Sequence, residues 1–157
     1  MPHTETRYWV VTASADHAAR GQEWGIVQAC HGKAAPLRRM RPGDGVVIYS
    51  PRDRFPAGQP LQAFTAIGRV GEGEPWQVDM GGGFTPWRRH VLWQPARPAA
   101  IQPLLGQLEL TRWQSHWGMV FRYGLCTVTR ADFIRIAQAM VVQPMDRAQP
   151  MGQAADQ

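Results

Sequence analysis

The chain has 157 residues, with 17 Lys and Arg against 12 Asp and Glu, so its formal net charge is +5. A hydrophobic fraction of 44% and a charged fraction of 18% indicate one globular domain and exclude a disordered chain. Two cysteines without CxxC spacing exclude a disulfide framework. The sequence has no basic leader and no apolar run of about 18 residues, so we expect a cytoplasmic protein without membrane attachment.

The first half of the chain predicts strands separated by turns and one short helix. Residues 7–14, RYWVVTAS, are rich in β-branched and aromatic side chains, as in a strand. Ser14 can cap a helix through ADHAAR, and Gly21 is expected to end it. The turn PGDG leads into a strand over residues 46–49, and LQAFTAIGRVGEG predicts a long strand after a polar loop.

The second half of the chain predicts two further strands and the clearest helix. PWRRHVLWQ and VFRYGLCTVT have the composition of strands, whereas IQPLLGQL predicts a short helix or 3₁₀ turn between them. Thr129 and Asp132 form a variant of the capping box. The residues that follow on one helical face are Phe133, Ile136, Ala137, Met140 and Val141.

Together these elements predict an α+β domain. Five or six strands with few helices and many glycines and prolines favour a curled sheet or small β-barrel flanked by short helices. The domain is expected to cover residues 1–142, where the periodic patterns lie. The tail, residues 143–157, lacks this periodicity and is expected to be disordered.

The adjacent Cys30 and His31 are the first candidates for chemistry. On an extended strand they point to opposite faces and cannot easily share a proton, so a catalytic thiol is not expected. The histidines and cysteines have no zinc-ligand spacing, and no P-loop, GxGxxG or HExxH motif occurs. We therefore expect no metal, no cofactor and no catalytic residue. A small nucleic-acid-acting enzyme that uses Cys30 or His31 stays open as an alternative.

Basic residues are mixed with aromatic ones in two segments. Six basic residues and two acidic ones lie in the first segment, residues 33–54. The six are Lys33, Arg38, Arg39, Arg41, Arg52 and Arg54. In the second segment Arg88 and Arg89 follow Trp87 in a predicted strand. Arginine suits phosphates and base edges, and aromatic rings stack on bases, so the pattern favours nucleic-acid binding over a merely solvated basic face.

The chain resembles the EVE domain family in five successive segments between residues 7 and 141. These are YWVVTAS, GIVQACHGKAAPLRRMRPGDGVVIYSPR, FTAIGRV, GFTPWRRHVLW and WGMVFRYGLCTVTRADFIRIAQAM. The resemblance implies a PUA-like curled β-barrel flanked by helices and related to the YTH readers. It also implies a non-enzymatic role, in which a modified base of DNA or RNA is flipped into an aromatic-lined pocket.

The same resemblance implies which residues line the base pocket. In the related readers a tryptophan after the first strand and helix stacks on the base, and Trp24, followed by Gly25, has a comparable position. The other implied pocket residues are Ser14, His31, Gly32, Lys33, Tyr49, Ser50 and Trp87. Contacts to the phosphates are assigned to Arg38, Arg39, Arg41, Arg52, Arg54 and Arg88. A monomer is expected, and a small-molecule or nucleoside sensor that uses the same pocket is a further alternative.

Overall fold

The structure, a computed structural model, describes residues 5–140 as a mixed β-sheet with short helices. The strands are β1 (Tyr8–Thr12), β2 (Ile26–Val27), β3 (Gly45–Arg52), β4 (Pro60–Val70), β5 (Trp76–Gln77), β6 (Trp87–Trp93), β7 (Ala99–Ala100) and β8 (Leu125–Val128). The α-helices are α1 (Ala15–Trp24), α2 (Ala34–Arg38) and α3 (Arg130–Met140). Short 3₁₀ helices cover Cys30–Gly32, Gln102–Leu104 and Trp117–Phe121.

Six strands form one curled sheet in the order β2-β6-β4-β3-β1-β8. β1 and β3 are parallel, and the other neighbours in this order are antiparallel. At the margins β5 pairs with β6 and β7 pairs with β4. The predicted α+β fold, a curled sheet of five to six strands with short helices, is confirmed.

The central strands of the sheet are covered on both faces, because successive side chains of a strand point to opposite sides. On one side Val10 of β1 packs in a cluster with Ile136 of α3. On the other side Trp9 packs with Ala18 of α1 and Leu37 of α2. The sheet therefore separates α3 from α1 and α2.

Helix α1 is longer than the sequence predicted. It continues through Gly21 to Trp24 and ends at Gly25, whose φ of 68° gives a left-handed C-terminal cap. Gly21 lies where the chain returns past the helix, and a Cβ there would be 2.8 Å from the Ile26 carbonyl oxygen. The prediction that Gly21 ends the helix is wrong, and the correction puts Trp24 on the last turn.

The predicted strand VFRYGLCTVT is a strand only in its second half. Its first two residues belong to the 3₁₀ helix Trp117–Phe121, and β8 begins at Leu125. A strand requires continuous extended backbone, which Gly124 interrupts with a φ of 83°. The predicted domain end at residue 142 and the predicted disordered tail, residues 143–157, lie outside the described residues.

Helix α3 begins with half of the predicted capping box. Thr129 Oγ1 accepts a hydrogen bond from the Asp132 N–H (3.0 Å). The Asp132 carboxylate instead accepts hydrogen bonds from the N–H groups of Glu109 (2.8 Å) and Leu110 (3.0 Å), and so it fixes the preceding loop to the helix. On the predicted apolar face Phe133, Ile136 and Met140 are buried and Ala137 packs beside them, whereas Val141 lies outside the described residues.

The parallel pair of β1 and β3 gives the sheet two distinct ends. Tyr8 of β1 lies opposite Gly45 of β3 at one end, and Thr12 lies opposite Tyr49 toward the other. The chain segments that follow two parallel neighbouring strands leave the sheet at the same end, and the carboxyl ends of such strands are a common place for binding sites. A cleft opens at the carboxyl ends of β1 and β3.

Candidate functional site

The cleft has a volume of about 860 Å³ and lies at the carboxyl ends of β1 and β3. Its walls come from the end of β1, from α1, from residues 26–33, from the end of β3 with the loop after it, and from residues 121–124. Met80 and Phe84 complete it from the hairpin between β5 and β6. Segments far apart in sequence therefore build one concave surface of a size usual for ligand sites.

Seven of the predicted site residues line this cleft. They are Ser14, Trp24, His31, Gly32, Lys33, Arg52 and Arg54. Five of them come from the segment between the end of β1 and α2, which forms one continuous wall. Arg52 and Arg54 reach the cleft from the end of β3, and Arg52 Nη1 also donates to the Gly58 carbonyl oxygen (2.8 Å). The predicted residues thus mark this wall of the cleft, although most of the residues that build it were not among them.

The 3₁₀ turn Cys30–Gly32 corrects one sequence-based assumption. Cys30 and His31 have φ values of 51° and 62°, in the left-handed region that residues with a Cβ rarely adopt. They are not on an extended strand, and the argument that the strand separates them is wrong. His31 is exposed, whereas Cys30 is half-buried and its thiol donates to the Tyr123 carbonyl oxygen (3.5 Å).

Trp24 stands at the rim of the cleft with 45% of its surface exposed. The Arg88 guanidinium lies over the indole, 5.2 Å from its centroid. Gln28 Oε1 accepts hydrogen bonds from Arg88 Nε (3.1 Å) and Nη2 (2.9 Å), and burial lowers the pKa of Arg88. A cation that is itself fixed by Gln28 therefore holds the indole of Trp24 in place at the rim of the cleft.

Three further exposed aromatic side chains line the cleft and were not predicted from the sequence. They are Phe55, Phe84 and Tyr123. The Phe55 ring lies 5.9 Å from the His17 ring and 6.3 Å from the His31 ring. Phe55 and Phe84 follow polar or glycine-rich loops, where no core is expected, and a large aromatic residue in such a loop is the signal that could have found them.

The charge of the cleft is strongly positive. Its lining includes Arg20, Lys33, Arg52, Arg54 and Arg122. Among the residues that the structure describes, no Asp or Glu lines it. Cations are therefore in excess over anions on this surface, which favours the approach of anionic ligands.

Asp16 lies just behind this wall, and neighbouring donors and cations balance the negative charge of its carboxylate. The Ser14 hydroxyl donates to its carboxylate, as does the His17 N–H (2.9 Å), and Arg20 Nη2 lies 3.7 Å from it. Burial raises the pKa of Asp16. The hydrogen bond from Ser14 and the charges of His17 and Arg20 lower it by a larger amount, so the pKa of Asp16 is below its usual value. Because the Ser14 hydroxyl is committed to Asp16, it is not a free donor for a ligand.

Tyr49 and Ser50 do not line the cleft. Tyr49 points to the α3 side of the sheet, where its ring stacks on Phe121 at 4.2 Å, and burial raises its pKa to about 12. Ser50 is fully buried and its hydroxyl is hydrogen-bonded to Thr65 Oγ1 (2.7 Å). Strand alternation turns Tyr49 away from the cleft, while its neighbour Ile48 lines it.

The remaining predicted pocket residues lie beside the cleft. Gly25 caps α1 next to Trp24, and Arg88, which was predicted to contact phosphates, lies over Trp24 outside the lining. Trp87 is half-buried under Arg38, whose guanidinium lies 5.0 Å from its ring centroid. Trp87 therefore supports α2 from the sheet and does not present a free ring to the cleft.

The predicted phosphate-binding arginines are not one cluster. Arg52 and Arg54 are at the carboxyl end of β3, whereas Arg41 precedes its amino end. Arg39 lines a separate groove at that second end of the sheet. β3 has eight residues and so separates the two groups by roughly 25 Å along the strand.

Two other features of the described residues bear on the type of site. Within residues 5–140, no three or more His, Cys, Asp and Glu side chains are grouped so that they could hold a metal ion. In the same range, each helix is too short or too polar for a transmembrane span.

Solved structures share this curled α+β fold. A protein from Agrobacterium tumefaciens has a TM-score of 0.53 and 14% identity, with 85% of this chain and 92% of that chain covered. A protein from Pseudomonas putida has a TM-score of 0.53 and 18% identity, with 84% of this chain and 98% of that chain covered. At such identities the likeness is one of fold.

The family follows from sequence similarity. The family model of the EVE domain matches residues 7–139, and this chain belongs to that family. A UPF0310 protein of Mesorhizobium japonicum is 53% identical, with 85% of this chain and 91% of the relative covered. A UPF0310 protein of Bacillus subtilis is 39% identical, with 87% of this chain and 94% of the relative covered. The resemblance seen in the sequence motifs is thereby confirmed.

Proposed function

We propose that this protein is a non-enzymatic nucleic-acid-binding module whose cleft receives one modified base, flipped out of a DNA or RNA strand. The observation that carries the proposal is the combination of exposed aromatic rings and cations in one cleft. Trp24, Phe55, Phe84 and Tyr123 supply the rings, and five Lys and Arg side chains supply the charge. An extruded base needs both, because its ring stacks while its phosphates remain outside.

Trp24 is the residue assigned to stacking. Arg88 covers one face of its indole and Gln28 fixes Arg88, so the ring is oriented before a ligand arrives. Stacking of a base on such a ring contributes about 1–3 kcal/mol. A methyl group on the base adds apolar area without a hydrogen bond, and the cleft then distinguishes it by shape, by about 1–3 kcal/mol.

The cations are assigned to the nucleic-acid backbone. Lys33, Arg52 and Arg54 are exposed, and none of them has a carboxylate partner within 4.0 Å among the described residues. Free cations at the mouth of a cleft attract phosphates, and their contacts fix the position of a strand without selecting its sequence. Base selection then falls to the interior of the cleft.

A thiol-based enzyme is the less favoured alternative. The turn places Cys30 next to His31, but the Cys30 thiol donates to a carbonyl oxygen, and no carboxylate among the described residues lies within 4.0 Å of His31 to orient it. A nucleophilic cysteine needs a nearby base that is itself oriented. The described residues of the cleft therefore supply aromatic rings and cations for binding, but no carboxylate that would complete a nucleophilic triad with Cys30 and His31.

The proposal is tested by measuring the affinity of the protein for matched DNA and RNA oligonucleotides with and without single modified bases. We expect one modified base to bind about tenfold or more tightly than its unmodified form. Trp24→Ala should weaken binding by about 1–3 kcal/mol and reduce the preference, because the stacking surface is lost.

The matched control is Trp113→Ala. Trp113 is 83% exposed and lies under Arg112 (5.5 Å), as Trp24 lies under Arg88, but it is outside the cleft. We expect it to leave both affinity and preference unchanged. Tight binding of a free nucleoside with no gain from a strand would favour a small-molecule sensor, and equal losses in both variants would refute the role of Trp24.

A further inference from the structure

A second groove lies at the opposite end of the sheet, beside the amino ends of β1 and β3. It has a volume of about 640 Å³. Arg7, Arg39 and Arg130 line it with Thr6 and Thr127, and Glu5 is its one acidic residue among those described. Three cations against one anion, with two hydroxyls, make this groove suitable for phosphate oxygens.

The arginine at the centre of the argument, Arg39, is held in place by the fold. Its guanidinium lies 5.2 Å from the centroid of Trp9. Trp9 is fully buried, and its indole N–H donates to the Asp44 carboxylate (2.8 Å). A cation that rests on a fixed ring loses less conformational entropy when it binds a ligand than a free side chain does.

Helix α2 connects the cleft to the second groove. Lys33 precedes α2 and lines the cleft, whereas Arg39 follows α2 and lines the groove. The two residues are separated by roughly 9 Å along the helix axis. Arg38 is exposed between them, so a basic path runs along α2. A strand that follows this path from the cleft to the groove therefore has to span several nucleotides.

We propose that the second groove binds phosphodiester groups of the same strand whose base occupies the cleft, several nucleotides away along α2. This inference rests on the proposed function. It adds a second subsite and therefore a minimum ligand length. A strand too short to extend past α2 contacts only the cleft.

The test compares oligothymidylates of about three and about twelve nucleotides on the wild type and on Arg39→Gln/Arg130→Gln. The short strand should bind the variant as it binds the wild type. For the long strand the slope of log affinity against log salt should fall by about 1.4, since each lost phosphate contact on a single strand contributes about 0.7. The control, Arg97→Gln/Arg112→Gln, removes the same charge from exposed positions outside both sites and should leave the slope unchanged.

Each outcome decides between the two proposals. A long-strand slope that falls only in the groove variant supports the second subsite. Equal effects of the groove and control variants, or equal effects on both strand lengths, overturn the subsite and leave the cleft proposal intact. If neither strand binds the wild type and no modified oligonucleotide does, both proposals fall. A melting temperature measured on each variant verifies that it is folded.

Discussion

Asp44 joins three donors at the amino ends of β1 and β3. Its carboxylate accepts hydrogen bonds from the Trp9 indole (2.8 Å), the Arg7 N–H (3.1 Å) and the Arg41 N–H (2.9 Å). Asp44 is buried, and one oxygen alone serves two of these donors. It therefore fixes both the ring beneath Arg39 and the backbone that carries Arg7.

We predict that Asp44→Asn lowers the free energy of unfolding by about 1–3 kcal/mol. The amide group turns one acceptor into a donor and leaves a buried N–H without a partner. Chemical denaturation measures the change. Asp79→Asn is the control: Asp79 is exposed and accepts one hydrogen bond from the Gly81 N–H, so its loss should remain within about 0.5 kcal/mol. Equal losses would contradict the role given to Asp44.

A substitution of Cys30 is the simplest way to distinguish a binding function from an enzymatic one. We predict that Cys30→Ser changes oligonucleotide affinity by less than about twofold, because serine fits the half-buried site and can also donate to the Tyr123 carbonyl oxygen. Affinity and product formation are measured on the same oligonucleotides. Any turnover that the wild type shows and Cys30→Ser lacks would contradict a binding role and favour thiol chemistry.

At the scale of elements, the return of the chain from α1 to β2 decides where Trp24 stands. Trp93 Nε1 donates to the carbonyl oxygens of Gly21 and Ile26, both at 3.1 Å. These two oxygens converge because Gly21 has no side chain, and a Cβ there would meet Ile26 at 2.8 Å. The last turn of α1, with Trp24, is thus fixed to the sheet through Trp93.

We predict that Gly21→Ala destabilises the protein, contrary to its effect on an isolated helix. Helix propensity alone favours alanine by about 1 kcal/mol, but the added methyl group would push β2 away from α1 and weaken the Trp93 hydrogen bonds. Overpacking of this kind costs about 1–3 kcal/mol. A raised melting temperature would refute the close approach described here. Gly106→Ala, where no atom lies within 4 Å of the added Cβ, is the control.

At the scale of the whole molecule, Cys126 and Tyr49 contribute to the pH dependence of stability at high pH. Burial raises the pKa of Cys126 to about 11 and that of Tyr49 to about 12, from usual values of 9.0 and 10.0. Both groups are neutral in the folded protein at pH values where the unfolded chain already ionises. Their contribution is therefore complete below about pH 9, and it is lost as pH rises toward 12.

We predict that the wild type loses stability steeply between about pH 10 and 12, and that Tyr49→Phe flattens this part of the profile. The difference in pKa at Tyr49 corresponds to about 2–3 kcal/mol at the upper end. Thermal denaturation across this pH range measures it. Tyr123→Phe, at a position that is 80% exposed, should leave the profile unchanged. Identical profiles for wild type and Tyr49→Phe would show that Tyr49 has no part in it.

The sequence by itself determined the features that depend on neighbouring residues. The cores of β1, β3, β4 and β6 follow from runs of β-branched and aromatic residues, and the apolar face of α3 follows from its spacing. One wall of the cleft lies in a single segment, and five of its residues, Ser14, Trp24, His31, Gly32 and Lys33, were named from the sequence through the family resemblance. Local patterns suffice wherever the contributing residues are adjacent in the chain.

Only the tertiary structure decided how distant segments combine. Tyr49 faces α3 and Ile48 faces the cleft because the two sides of β3 pack against different helices. Phe84 and Tyr123 reach the cleft from loops that strand pairing brings together. The same pairing puts Arg39 and Arg52 at opposite ends of the sheet, although one short segment contains both. These placements depend on long-range contacts whose side and register no local pattern encodes.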